Sequence, residues 1–547
     1  MLLLRFVVEE GRANPYRLAV GAFLASASSV ALLLLINLAA EQLATRHEDG
    51  IDWLLAGAFV IAAVTYFFTE SDLITQIGAA MERAVERVRK RLLEGVRQAD
   101  FVRLERFGAT PLYENITQHA HALSQNSQFI ALSVRSAMLT AMVMLYILTL
   151  SVTAFWVVLA GTIGVGMMYY RLGEQLRVRY GRMMNVEGRL FQAVSDLLDG
   201  FREVRLSSAR SRDLLHDFER VSAQSTGIRV EVQGRSFQKL IFGHVAFFFL
   251  LAVVVFVVPT YVTDINADIV KISAAVVFMI GPLGGVIQAV TVMASADAAV
   301  RRMFDLEREL KDMVEPGDTG VVDAFSEGFE CIEVRGASFA YPAAGGETPF
   351  EVGPVDLTIR RGEVVFVTGG NGSGKSSFIK MLIGLYRPER GSIRVDGWPM
   401  EADNRRAFRE LFAVVFADQR LLPRLYGLPD IDRKELSELL DWLEIERIVQ
   451  IDGDRLARTD YSSGQRKRIQ LAAALLEHRP LLVLDEWAAD QDPHFRRKFY
   501  RQIVPELKAR GITIVAVTHD DQYFDVADRR LHFEFGKLHE LDVGAHP

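Results

Sequence analysis

The stretch that most limits what this chain can fold into is Val364-Val365-Phe366-Val367-Thr368-Gly369-Gly370-Asn371-Gly372-Ser373-Gly374-Lys375-Ser376-Ser377. A β-branched and aromatic run reads as a buried strand, a glycine-rich turn follows, and Phe378-Ile379-Lys380-Met381-Leu382-Ile383 opens a helix. Strand, Gly-x-x-x-x-Gly-Lys-Ser and helix, in that order, make the context of a phosphate-binding loop. Glycines at 369, 370, 372 and 374 let backbone N–H groups turn inward around phosphate oxygens. The helix N-terminus adds a partial positive charge. Lys375 has the reach for β- and γ-phosphates, and the Ser376 hydroxyl suits Mg²⁺. Asn371, Ser373 and Ser377 belong to the same candidate cradle. A ligand-free glycine turn is the plainer alternative, and the strand and helix flanks argue against it.

Half of the 547 residues are hydrophobic, and they are concentrated in the first 300 positions, so a membrane half precedes a soluble half. About twenty apolar residues span a bilayer. Candidate spans are Arg17–Ala40, Ile51–Thr69, Phe129–Ser151, Thr153–Tyr170, Lys239–Tyr261 and Ile269–Met293. The N-terminal run is of full span length with no small-residue cleavage site, so it reads as a retained helix. Before it, Met1–Pro15 reads either as an interfacial helix or as a frayed terminus. A net charge of −7 argues against nucleic acid as the main partner. Cys331 is the single cysteine, which excludes an intramolecular disulfide and fits a reducing compartment.

Basic residues fall between spans two and three (Arg83, Arg87, Arg89, Lys90, Arg91, Arg97) and between spans four and five (Arg177, Arg179, Arg182, Arg189, Arg202, Arg205). The positive-inside rule puts both segments and both termini of this multi-pass membrane protein in the cytoplasm, and the inner (plasma) membrane is the expected location. Both segments are helix-patterned, so the spans are expected to extend into the cytosol as two long hairpins, with tips at Gly108–Leu123 and Glu203–Asp217. The charges read as solvated helix faces rather than ligand sites. Polar residues are costly in lipid. Asn37 and His244 suit interhelical hydrogen bonds, Arg135 and Lys271 can snorkel, and a substrate contact is the alternative for all four. Gly281-Pro282-Leu283-Gly284-Gly285 suggests a hinge in the sixth span.

After a charged, helical stretch that breaks at Pro316-Gly317, strands and helices alternate, as in an α/β domain with a largely parallel sheet. The expected division is a membrane domain over 1–296, a linker over 297–328 and a nucleotide-binding domain over 329–547. A strand ends at Tyr341, which can stack on a base or be an ordinary edge tyrosine. Phe412–Val415 leads to Asp418 and Gln419. Tyr461-Ser462-Ser463-Gly464-Gln465 opens a helix whose N-terminus is a second candidate phosphate end, or simply a serine cap. Leu481–Leu484 ends in Asp485 and Glu486, a magnesium ligand and a general base for an attacking water. Thr513–Thr518 ends in His519, placed for the γ-phosphate.

In this order the motifs resemble those of an ABC exporter half-transporter: a membrane α-helical domain of six transmembrane helices with long cytosolic extensions, then an α/β P-loop ABC ATPase domain. The resemblance makes Tyr341 the adenine stacker, Gly369–Ser376 the Walker A loop, Leu481–Glu486 Walker B, and His519 the switch histidine. It also makes Tyr461–Gln465 the signature and Ala489–Asp492 the D-loop. It implies catalytic roles for Lys375, Glu486 and His519 with ATP and Mg²⁺. The metal would be held at Ser376, Asp485 and Asp418, with Gln419 as the alternative to Asp418. It also implies a homodimer in which Ser462, Ser463, Gly464 and Gln465 complete the partner's site. Tyr461 and Ser463 depart from Leu-Ser-Gly-Gly-Gln, the D-loop lacks Ser-Ala-Leu-Asp, and no Thr-Glu-Val-Gly-Glu segment precedes the signature.

The run from Asp485 to Phe495, DEWAADQDPHF, resembles the branch that exports cyclic peptides, lasso-peptide microcins and peptide-siderophore precursors such as pyoverdine's. A peptide-like substrate moved from the cytoplasm across the bilayer is therefore expected. The competing functions are a lipid flippase or multidrug exporter, and an ATP-gated membrane regulator that does not pump.

Overall fold

A helix surrounded by lipid can be apolar on every face, because no side of it needs to meet water. The helix Pro15–Thr45 is of this kind, with apolar residues around its whole circumference. The computed structural model describes residues 2–45, 52–261, 268–315, 325, 328–341, 350–428 and 430–541. Among them, five helical stretches are long and apolar enough to cross a membrane: Pro15–Gln42, Trp53–Gln98, Pro111–Leu150, Ser208–Thr260 and Ile269–Val286. The remaining expected span lies in the helix Val152–Asp199 as a shorter apolar stretch, Val152–Met168. Trp53–Gln98 has 46 residues, so it is about 70 Å long, more than twice the hydrocarbon thickness. Val152–Asp199 and Ser208–Ala252 are of similar length, so the helices continue well beyond their apolar parts.

The chain divides into two compact units, one of Met1–Glu94 and Ala109–Leu310, the other of Gly95–Gly108 and Lys311–Pro547. In the first unit, Leu33, Val143, Ile147, Val158, Phe247, Ile272 and Met279 form a buried cluster. The helix Ile269–Asp312 runs unbroken through Pro282, so the glycines there do not interrupt it. Gly285 instead allows close packing: a Cβ on it would lie 2.6 Å from the Ser136 hydroxyl. The N-terminal segment is docked rather than frayed. Leu3, Phe6 and Val7 are buried, and Arg91 bridges Glu10 at 2.8 Å and Glu307 at 3.1 Å. The polar residues of the spans mostly find partners: Asn37 with Tyr146, Arg135 with Glu70, and Lys271 with Glu41 and Asp268. His244 is exposed.

The first hairpin tip lies earlier than the sequence suggested. A short helix, Phe101–Phe107, is capped at Asp100, whose side chain accepts from the Arg103 N–H, and ends at Gly108 with φ 81°. Asp100 and Gly108 are ordinary start and stop signals, and the chain is already helical again from Ala109. The second tip, Phe201–Leu206, overlaps the expected segment.

The second unit carries two main sheets. β1 (Cys331–Ala340), β2 (Glu351–Arg360), β4 (Arg390–Val395) and β5 (Trp398–Pro399) form an antiparallel sheet in the order β2-β1-β4-β5, which the alternation of elements had not disclosed. β3 (Val364–Gly369), β6 (Phe412–Val415), β9 (Leu481–Asp485), β10 (Thr513–Val517), β11 (Arg529–Glu534) and β12 (Lys537–Leu541) form the other, in the order β12-β11-β3-β10-β9-β6. A small hairpin pairs β7 (Ile451–Asp452) with β8 (Arg455–Leu456). In the six-stranded sheet only β12 runs antiparallel to its neighbour. β3, β9 and β10 are buried at every residue, as strands covered on both faces must be. Their C-terminal ends therefore collect in register at one edge, where ligands bind in such sheets.

Candidate active site

Backbone geometry builds the loop after β3. Gly369 has φ 143°, and a Cβ there would lie 2.3 Å from the Phe533 carbonyl oxygen. Gly374 caps the helix Lys375–Leu382 at φ 104°. The Lys375 ammonium donates to the carbonyls of Gly369 at 2.9 Å and Gly370 at 2.8 Å, curling the loop around its own lysine. Burial pushes the Lys375 pKa down, and Glu486 and Asp485 pull against that. Asn371, Gly372 and Ser376 are exposed at the rim; the Ser373 hydroxyl is buried with no partner among the described residues. Ser377 points the other way, its hydroxyl 3.0 Å from that of Tyr341. Tyr341 is thereby tied to the loop helix, and its ring stands edge-on to Phe339 and Tyr386.

β9 and β10 are adjacent, with Asp485 opposite Val517. Glu486, next along, takes the left-handed conformation, φ 48° and ψ 34°. Its N–H reaches the Val517 carbonyl at 3.2 Å. Its carboxylate lies 3.6 Å from the His519 Nε2. Lys375, Asp485, Glu486 and His519 thus come together from the ends of three neighbouring strands.

Asp485 is the buried carboxylate of this group. Its pKa is raised, first by burial and then by the charges of Glu486 and Asp418; Lys467 and Lys375 oppose the rise. One of its oxygens, Oδ1, is buried without a hydrogen-bond partner among the described residues. A carboxylate crowded by two others and left with an unused oxygen is the chemistry that a hard divalent cation satisfies. The donor set therefore suits Mg²⁺. Among the described residues no group of three or more His, Cys, Asp or Glu could hold a metal ion, so a cation at Asp485 would need hydroxyl or ligand oxygens as well.

The two candidates after β6 separate. Asp418 lies close enough to Asp485 for its charge to be felt. Gln419 turns back: its Oε1 accepts the Phe416 N–H at 3.2 Å, and its carbonyl accepts from Gln470 at 2.8 Å.

At the helix Ser463–Leu476 the Ser462 hydroxyl accepts the Gln465 N–H, and the Gln465 side chain accepts the Ser462 N–H in return. This capping box fixes the N-terminus that Ser463 and Gly464 open. A Cβ on Gly464 would lie 2.8 Å from the Asp490 carbonyl, and Gln491 donates to the Gly464 carbonyl at 3.2 Å. The start of this helix and the segment Ala489–Asp492 therefore meet in space at Gly464. Sequence reasoning missed Lys467, a buried lysine in this helix that reaches Glu486. The signal was available as a lysine two places after Gln465, with an acidic run at 485–492.

The family model for ABC transporters matches residues 352–489. The chain is 30% identical to the ATP-binding protein SyrD of Pseudomonas syringae pv. syringae, with 92% of this chain and 89% of that one covered. It is 35% identical to the probable ribonucleotide transport ATP-binding protein mkl of Mycobacterium bovis over 36% of this chain and 58% of that one. Its fold matches the structure of a bacterial Atm1-family ABC exporter with ATP bound, at a TM-score of 0.78 and 16% identity, covering 98% and 94% of the two chains. The chain belongs to the ABC transporters, ATPases coupled to transport, and carries the fold of an ABC exporter.

Proposed function

We propose that the chain acts as a homodimer that moves a cyclic, knotted or siderophore-type peptide out of the cytoplasm across the inner membrane by alternating access, driven by ATP. The observation that carries the hydrolytic part is the convergence of Lys375, Asp485, Glu486 and His519 at the ends of β3, β9 and β10. In this reading Lys375 releases the loop carbonyls to hold the β- and γ-phosphates, and N–H groups over Gly369–Ser377 cradle them. Mg²⁺, held by Ser376, Asp485 and Asp418, would neutralise phosphate charge. Glu486 accepts a proton from, or orients, the attacking water, and His519 contacts the γ-phosphate beside it. Tyr341 stacks on adenine. Ser462, Ser463, Gly464 and Gln465 would close over the nucleotide of the second copy, so a single chain holds two half-sites.

The peptide part rests on the sequence from Asp485 to Phe495. It is tested in sealed vesicles holding the full-length protein. ATP-dependent accumulation of a labelled cyclic or knotted peptide, abolished by Glu486→Gln, is the expected result. ATPase stimulation by lipids or hydrophobic amines but not by peptides would replace the substrate, and ATP binding without accumulation of any solute would replace pumping by gating.

A further inference from the structure

Lys467 and the segment after Asp485 hold each other in both directions. The Lys467 ammonium donates to the Glu486 carbonyl at 2.8 Å and lies 2.8 Å from the Asp490 carboxylate. In return the Trp487 indole N–H donates to the Lys467 carbonyl at 2.8 Å. Lys467 is only 6% exposed and Trp487 only 1%, the indole packing on Phe499 with ring centres 4.5 Å apart. The neighbouring Arg468 repeats the pattern, reaching Gln491 at 2.8 Å and Asp492 at 2.7 Å. Between these bonds sits Glu486, a long side chain in left-handed backbone. Such a residue stays there only when its surroundings over-determine it.

We propose that Lys467 is a positioning residue for ATP hydrolysis: it fixes the Glu486 backbone, with Asp490 as its counter-ion, so that the helix beginning at Ser463 sets where the Glu486 carboxylate stands. The proposal rests on the reading of Glu486 as the base. A buried ammonium needs a paired anion and satisfied donors, and here both partners lie on the segment it restrains. The consequence is directional: whatever moves the N-terminus of this helix, carrying Ser462 to Gln465, moves the Glu486 of the same chain. Lys467 touches no nucleotide in this account, so its loss should slow turnover without weakening ATP binding.

The test uses the full-length transporter in lipid nanodiscs, with Lys467→Met, Asp490→Asn and Glu486→Gln, and Lys467→Met combined with Glu486→Gln. ATPase kinetics are read beside binding of a fluorescent ATP analogue. Lys467→Met should lower kcat by about 10- to 100-fold through misplacement of Glu486, with analogue affinity kept within about twofold. Asp490→Asn, which keeps the fold but not the ion pair, should lower kcat in the same sense. In the Glu486→Gln background Lys467→Met should add nothing, because it acts through that carboxylate. If Glu486→Gln abolishes turnover while Lys467→Met and Asp490→Asn hydrolyse at the parent rate, the positioning role is overturned and the base is not. An equal loss in both backgrounds, or a loss of analogue affinity matching the loss of kcat, overturns it too. Undiminished turnover in Glu486→Gln would instead overturn the reading of the base and this proposal with it.

Discussion

The Tyr386 hydroxyl donates to the Glu105 carboxylate at 2.7 Å, and the Lys380 ammonium meets the same carboxylate at 2.8 Å. Glu105 lies on the helix Phe101–Phe107, which joins the second and third membrane helices, whereas Lys380 lies in the helix that follows the phosphate loop. Tyr386 is fully buried, and its oxygen is 3.1 Å from that of Tyr341, which in turn faces Ser377. A continuous hydrogen-bonded row therefore runs from the phosphate-loop helix, through the proposed adenine stacker, to the tip of the first hairpin.

Tyr386→Phe removes the middle hydroxyl of that row while keeping the ring stacked on Phe339. Losing one such bond costs about 0.5–1.5 kcal/mol, so KM for ATP should rise roughly two- to tenfold with kcat little changed. Steady-state ATPase kinetics check this; a fall in kcat at constant KM would contradict it. The Glu105 carboxyl is partly desolvated, which alone would raise its pKa, but its bonds to Lys380 and Tyr386 outweigh that and hold it below the ordinary glutamate range. A lowered carboxylate pKa means the contact is complete above that range and is lost as the pH falls through the lowered value. Protection of Phe101–Phe107 from hydrogen exchange should therefore decline only under acid conditions.

Glu486 and His519 are 3.6 Å apart, and the proposed chemistry asks different things of them. Removing a general base costs about 10²–10⁴-fold, so Glu486→Gln should bind ATP and retain it with turnover reduced on that scale. His519→Ala keeps the base and should lose less. Single-turnover hydrolysis in the purified full-length protein checks the ranking, and equal rates for Glu486→Gln and the parent would remove Glu486 from the mechanism.

What could be read from the sequence follows from how local each signal is. The phosphate loop, the β9 carboxylates and His519 were legible because each is a short motif at the end of a buried apolar strand. The long helices were legible from span-length apolar runs followed by amphipathic ones. The antiparallel sheet was not, because β1 and β2 pair across a separation that alternation does not encode. The tip at Phe101–Phe107 was missed because Asp100 and Gly108 are single-residue signals inside a helical pattern. Lys467 was missed because its significance lies in its partners Glu486 and Asp490, which only folding brings near.

Glu315 is 8% exposed and shared by two arginines, Arg405 and Arg409. Its N–H also reaches the Gln98 carbonyl at 3.0 Å, so the carboxylate anchors the chain just after the last long helix. Burial pulls the Arg405 pKa down, so this guanidinium depends on its anion. Removing one partner of a buried pair leaves an uncompensated charge and costs about 3–5 kcal/mol. Glu315→Ala should therefore lower the thermal unfolding midpoint of the detergent-purified protein clearly. Glu333→Ala, whose pair with Arg335 is largely exposed on the arginine side, should cost no more than about 1 kcal/mol of stability and leave that midpoint nearly unchanged.

Asp418 and Gln419 compete for one role, and their surroundings distinguish them. The Gln419 side chain accepts the Phe416 N–H and its carbonyl is bound by Gln470, so it braces the turn after β6. Asp418 adds its charge to that of Glu486 at Asp485. If Asp418 helps hold Mg²⁺, Asp418→Asn should raise the Mg²⁺ concentration needed for half-maximal ATPase by about tenfold, the scale of losing one partner at a metal site. Gln419→Ala should leave that requirement unchanged and instead loosen the turn, with a modest loss of stability. The measurement is a magnesium titration at saturating ATP on both variants. An unchanged requirement in Asp418→Asn together with a raised one in Gln419→Ala would reverse the assignment.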